Sequence, residues 1–209
     1  MQTPIEVHYR PTWLYNPLRN VHLQEWLRCH RESNEYEGCQ IPTVQFNVVF
    51  QLLHLYKHIF EEGIGLRQLV DYYFALKRYG SEATALDKEE VQRLISVFGL
   101  KTFCGSVMYI MAEVFAMPGE NMLCNPNPDA GKQLLQEIMI GGNFGHFDER
   151  YNWAEVTNDS MEYRGSSYAL TRFRHNLHFL KSYPEEVLWE PVFRMYHFLW
   201  RRLKLWRWE

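Results

Sequence analysis

The sequence predicts a mainly α protein, a helical domain preceded by one short amino-terminal β element. Three observations carry this expectation. Apolar residues recur at helical spacing through most of the chain from about residue 18 onward. Strict alternation occurs at the start, where Ile5, Val7 and Tyr9 are interleaved with Glu6, His8 and Arg10. With 209 residues, 46% of them hydrophobic and 16% aromatic, the chain can bury a sizeable core.

The period of two over residues 5–9 predicts a strand with one buried face, and it sets Glu6 and His8 together on the other face. Pro11 and Pro17 bracket a turn, and a helix follows over about 18–30. The polar run 31–38 reads as a loop. Pro42 then introduces a long apolar helix starting near Val44. Gly63-Ile64-Gly65 ends it. The next helix is expected to turn Leu66, Leu69, Val70, Tyr73 and Phe74 inward. Further helices fit about 87–98, 101–115, 129–140, 166–181 and 191–206, with an irregular stretch over 141–165. A lone strand leaves its hydrogen-bonding edges unmet, which predicts pairing with a second copy or with a complementing chain.

Composition excludes several classes. A net charge of −3 gives no global footprint for bulk nucleic acid. No apolar run approaches the roughly 18 residues of a membrane span, and the segment MQTPIEVHYRP lacks the layout of a signal peptide, so a cytoplasmic protein is expected. Cys29, Cys39, Cys104 and Cys124 are scattered, which predicts free thiols and no cysteine-based zinc site.

The stretch HLYKHIFEEGIGLRQLVD, residues 54–71, is the densest in chemistry. Asn47, Gln51, His54, His58 and Glu61 follow one another at steps of four, three, four and three, so they share one face of an otherwise apolar helix. That stripe is too narrow and too poor in lysine to be an ordinary solvated face. Arg67 and Asp71 form an i,i+4 pair on the following helix. Two readings stand side by side: hydrogen-bonded core histidines with a structural ion pair, or two stripes lining a cleft for an anionic ligand. His54-x-x-x-His58 has the spacing of some helical zinc ligands but lacks the H-E-x-x-H general base and a third ligand. At the carboxyl end, Trp200, Arg201, Arg202, Lys204, Trp206, Arg207 and Trp208 mix rings with cations. Such a cluster suits a membrane surface or single-stranded nucleic acid, or a final helix whose tryptophans pack on the domain.

Four segments together resemble the uncharacterised nucleotidyltransferase family, within the DNA polymerase β-like nucleotidyltransferase superfamily. They are IEVHYRP at 5–11, HLYKHIFEEGIGLRQLVDYYFAL at 54–76, GGNFG at 141–145 and YPEEVLWEPVFR at 183–194. The resemblance implies nucleotidyl transfer from a nucleoside triphosphate to a hydroxyl acceptor. Carboxylates would hold two magnesium ions about 3.5–4 Å apart. Ile5-Glu6-Val7 looks like the third of three catalytic carboxylates, which makes Glu6 the implied metal ligand and catalytic residue. His54, His58, Arg67 and Asp71 are implied to bind substrate. Residues 1–41 would be a remnant of the α+β nucleotidyltransferase sheet with its connecting helix, and 42–209 the helical domain.

The family's Gly-Ser turn and D-x-D pair do not precede Glu6. Gly80-Ser81 with Asp87-Lys88-Glu89 copies that motif superficially, but its spacing is short and Asp87 with Glu90 fits a helix capping box better. Gly105-Ser106 lies inside a helical pattern. The expectation is therefore a carboxyl-terminal portion of a nucleotidyltransferase, truncated and inactive alone. The alternative is a non-catalytic helical binding module degenerate from that family.

Overall fold

The structure is a computed structural model that describes residues 11–29, 33–36, 38–61, 63–141 and 173–205. The strand expected over 5–9, Glu6 with it, and most of the expected irregular stretch, including 142–145, lie outside the described residues. Among them the fold is mainly helical, as expected. The helices are α1 (Pro17–Cys29), α2 (Val44–Glu61), α3 (Leu66–Glu82), α4 (Ala85–Val97), α5 (Lys101–Phe115), α6 (Pro128–Gly141) and α7 (Pro184–Leu205), with a helical stretch at 173–177.

The run 31–38, expected to be a loop, contributes instead to an antiparallel hairpin of β1 (Ser33–Tyr36) and β2 (Cys39–Pro42). Tyr36 lies opposite Cys39, which leaves a two-residue turn containing Gly38 at φ 77°. A glycine there meets the left-handed backbone without cost. The polar composition of the strands hides the pairing from any reading of apolar alternation.

Local sequence explains the helix ends. Thr43 Oγ1 accepts from the Phe46 amide at 3.3 Å and so caps α2. At the other end, Gly63, φ 80°, donates its amide to the His58 carbonyl at 2.8 Å. The α4 capping box joins Thr84 to Asp87: the Asp87 amide donates to Thr84 Oγ1 at 3.2 Å, and the Thr84 amide donates to Asp87 Oδ2 at 2.8 Å. Asp87 is thus a capping residue, though its partner is Thr84. Glu90, the expected partner, is held by Arg93 at 2.7 Å.

Three expectations change. On α3 the buried residues are Leu69, Tyr72, Ala75, Leu76 and Tyr79, whereas Leu66, Val70 and Phe74 are exposed. Tyr72 takes the inward place because its hydroxyl reaches the Val48 carbonyl at 3.1 Å, so the ring is buried with its polar end satisfied. Within the helix expected over 166–181, the described residues are helical at 173–177, after which i→i−3 bonds from His178, Phe179, Leu180 and Ser182 tighten the chain. The last helix starts seven residues before Pro191. Pro184 occupies its first position, where the missing amide costs nothing, and Pro191 is exposed within it.

One core cluster collects side chains from Leu14 to Val187. Its centre is α5, through Phe103, Val107, Met108 and Met111. At Gly131 of α6 a Cβ would lie 2.5 Å from Tyr109, so glycine is what lets these two helices approach. Tyr56, Phe60, Phe103, Phe179 and Tyr183 form a ring cluster beside it. Tyr183 donates to Ser106 Oγ at 2.9 Å, and Ser106 donates to the Thr102 carbonyl at 2.8 Å. Gly105-Ser106 is therefore buried helix, as its sequence context predicts.

Candidate functional site

The polar stripe of α2 forms on one face of a helix whose buried residues include Leu52, Leu53, Tyr56 and Ile59. Gln51 donates to Asn47 at 2.9 Å, and His54 and His58 approach with their Nε2 atoms 3.0 Å apart. One ring must donate and the other accept across that gap. Rings continue the line: Trp26 stacks on Phe46 at 4.8 Å, Phe46 on Phe50 at 5.7 Å and Phe50 on His54 at 6.2 Å. His54 is exposed and His58 half-buried, so neither is a core histidine. At the end of the stripe, Glu61 accepts from the Tyr15 hydroxyl at 3.0 Å, and Lys57 sits 3.4 Å from the centroid of the Trp13 ring.

Arg67 and Asp71 occupy the solvent side of α3, and both are exposed. No ion pair joins them among the described residues. The i,i+4 ion pair on α3 is instead Arg78 with Glu82, at 2.8 Å. Hydrogen bonds and ion pairs among the described residues do not link Arg67 or Asp71 to the α2 stripe.

A polar junction that the sequence reading missed adjoins the stripe. Arg19 of α1 donates to Glu185 Oε2 at 2.7 Å and to the Val97 carbonyl at 2.9 Å. Asn16 also donates to Glu185. Gly99, φ 74°, lets the guanidinium pass, since a Cβ there would lie 2.6 Å from it. The neighbouring Glu186 is buried and accepts the Tyr15 amide at 3.2 Å. Tyr15 thus joins the junction through its amide and the α2 stripe through its hydroxyl.

The two adjacent carboxyls are driven apart. The hydrogen bond and charge of Arg19 hold Glu185 below the usual carboxylate range. Burial pushes Glu186 up to about 8, against the opposing effect of the Tyr15 amide. The sequence signal was the Pro184-Glu185-Glu186 run at a helix start, but no spacing rule relates it to Arg19, 166 positions away.

A second buried pair sets His175 Nε2 3.2 Å from Glu137 Oε1. The thiols of Cys104 and Cys124 meet at 3.2 Å while remaining free. Their shared hydrogen bond raises the Cys104 thiol, with help from burial, and lowers that of Cys124.

Magnesium, which the resemblance implies, has no donor set among the described residues: nowhere in them do three or more His, Cys, Asp or Glu side chains gather as a metal site. The carboxylates beside the stripe are already engaged, Glu61 by Tyr15 and Glu185 by Arg19, while Glu186 is buried against the Tyr15 amide. Nor is any helix of the described residues long and apolar enough to cross a membrane.

A family model described as an uncharacterised nucleotidyltransferase matches residues 2–116, more than half of the chain. The match takes in the segment 5–11, all of α2 and α3, and Arg19. Residues 141–145 and 183–194, which also carry the resemblance, fall beyond it. No curated protein matches the chain, and no solved structure does.

Proposed function

Because the chain belongs to the uncharacterised nucleotidyltransferase family, we propose that the polar face of α2 is a wall of the cleft in which a nucleoside triphosphate meets a hydroxyl acceptor. The observation that carries this reading is the His54–His58 pair, 3.0 Å apart at the surface of a helix otherwise anchored in the core. Leu52, Leu55 and Ile59 hold that helix, so the two imidazoles are presented from a rigid support. A phosphate oxygen would take the place of the bond between the two rings and engage Nε2 atoms that the helix already holds in position. Arg67, exposed, supplies a guanidinium suited to a further phosphate, and Asp71 an acceptor for a sugar or acceptor hydroxyl.

Glu6, on the alternating segment, is the ligand for magnesium, whose role would be to neutralise the triphosphate and activate the acceptor. One carboxylate does not hold two ions. The transfer step needs an acid pair that these 209 residues do not contain in a Gly-Ser context, and a complementing chain would complete the centre. The chain by itself binds nucleotide without turning it over. The engaged state of Glu61 and Glu185 favours a second reading, a non-catalytic helical binding module.

Thermal unfolding with and without ATP and magnesium tests the nucleotide pocket. Ligand binding raises the apparent stability of the native chain by mass action. Glu6→Gln, Arg67→Ala and the double variant His54→Ala with His58→Ala each reduce that rise. No rise in the native chain overturns the proposal.

A further inference from the structure

We propose that the outward face of α7 docks on the surface of an anionic lipid bilayer, with the helix lying in the plane of the membrane. Leu188, Val192, Met195, Leu199 and Leu203 follow one another at steps of four, three, four and four, so they share one face. They are 63%, 45%, 60%, 51% and 64% exposed. On the opposite side Trp189 and Phe193 pack against the core, Phe193 with its ring 5.4 Å from that of Tyr15. The helix is therefore attached by one apolar face and presents a second one to solvent. Ordinary surface helices carry charge there.

The flanks indicate what covers this face. At 100° per residue Tyr196 and Phe198 fall on either side of the aliphatic stripe, and both are exposed. Arg194 is paired with Glu190, but residues 195–205 include Arg201, Arg202 and Lys204 and no acidic residue. Arg202 lies over the Phe198 ring at 4.8 Å. A second copy of this helix would bring like charges together. Single-stranded nucleic acid stacks on rings, yet the centre of this face is Leu, Val and Met. Aliphatic side chains between flanking aromatics and cations match an anionic bilayer, where the apolar stripe enters the acyl boundary and the cations meet lipid phosphates. The inference does not depend on the nucleotide reading.

Co-sedimentation of the full chain with vesicles tests it, comparing phosphatidylcholine alone with phosphatidylcholine containing phosphatidylglycerol. The chain is expected in the pellet with the anionic vesicles and largely in the supernatant with the neutral ones. The variant Met195→Glu with Leu199→Glu replaces exposed side chains and leaves the core untouched, which far-UV circular dichroism verifies. It is expected to bind anionic vesicles about tenfold more weakly, as is Arg201→Gln with Arg202→Gln. Native chain left in the supernatant with anionic vesicles, or unchanged binding by the Met195/Leu199 variant, overturns the proposal. So does a dimer in light scattering that this variant dissociates, which would assign the face to a second copy. Oligonucleotide binding lost in the same variant, with no vesicle binding, overturns it in favour of nucleic acid.

Discussion

The Tyr15 amide donates to the buried carboxyl of Glu186 across 171 positions of sequence, and the hydroxyl of the same tyrosine reaches Glu61. One residue ahead of α1 thereby ties the start of α7 to the end of the α2 stripe. The junction is electrostatically asymmetric, and stability should report it.

Burial pushes Glu186 from 4.5 up to about 8 in the folded chain. Between those limits the folded state keeps a proton that the unfolded state releases, so this group's contribution is full below about 4.5. It falls as pH rises and is lost above about 8. At about 1.4 kcal/mol per unit the loss amounts to at most about 5 kcal/mol. Glu186→Gln retains an acceptor for the Tyr15 amide and carries no proton to lose. Denaturant unfolding from pH 5 to 8 is expected to show a falling stability in the native chain and a flatter profile in the variant.

Arg19 holds Glu185 and also meets the Val97 carbonyl at the end of α4. Arg19→Ala is expected to cost about 1–2 kcal/mol, modest because both side chains are partly solvated. Its sign with pH is opposite to that of Glu186. Glu185 is held low, so the stabilisation is present above the ordinary carboxylate range and disappears as pH falls through the lowered value. Urea titrations of the variant and native chain at pH 3 and pH 7 should differ less at the lower pH.

Thr84→Ala removes the α4 cap and is expected to lower stability by about 1 kcal/mol, while Thr84→Ser restores most of it. Chemical denaturation of the three chains gives the comparison. Equal midpoints for all three would remove Asp87 and Thr84 from a capping role.

Tyr72→Phe keeps the ring and deletes the buried bond to the Val48 carbonyl. The Val48 carbonyl lies inside α2 and keeps its helical partner, so the lost hydroxyl bond costs about 1 kcal/mol, read as a lower unfolding midpoint with an unchanged denaturant slope.

Helical periodicity made α1, α5 and α6 legible to within a residue or two, because each has an apolar face and a clear stop. It also exposed the α2 stripe, since five polar residues on one face of an apolar helix have few alternatives. What stayed hidden depends on distant partners. The inward turn of Tyr72 in place of Phe74 needs the Val48 carbonyl, and the junction at Arg19 and Glu185 needs α1 and α7 to meet. The hairpin at 33–42 escaped because its strands are polar, with Gly38 as its sole local mark. Arg67 and Asp71 have ion-pair spacing but do not pair, while Arg78 and Glu82 do at the same spacing on the same helix, because an exposed i,i+4 pair gains too little for spacing alone to decide it.

The most direct measurement on the central claim is the imidazole resonances of His54 and His58, assigned by His54→Gln and His58→Gln, during titration with ATP and magnesium. Both resonances are predicted to shift saturably with one shared affinity. Resonances that stay fixed while ATP stabilises the chain would place the nucleotide elsewhere and contradict the assignment of the α2 face to the cleft.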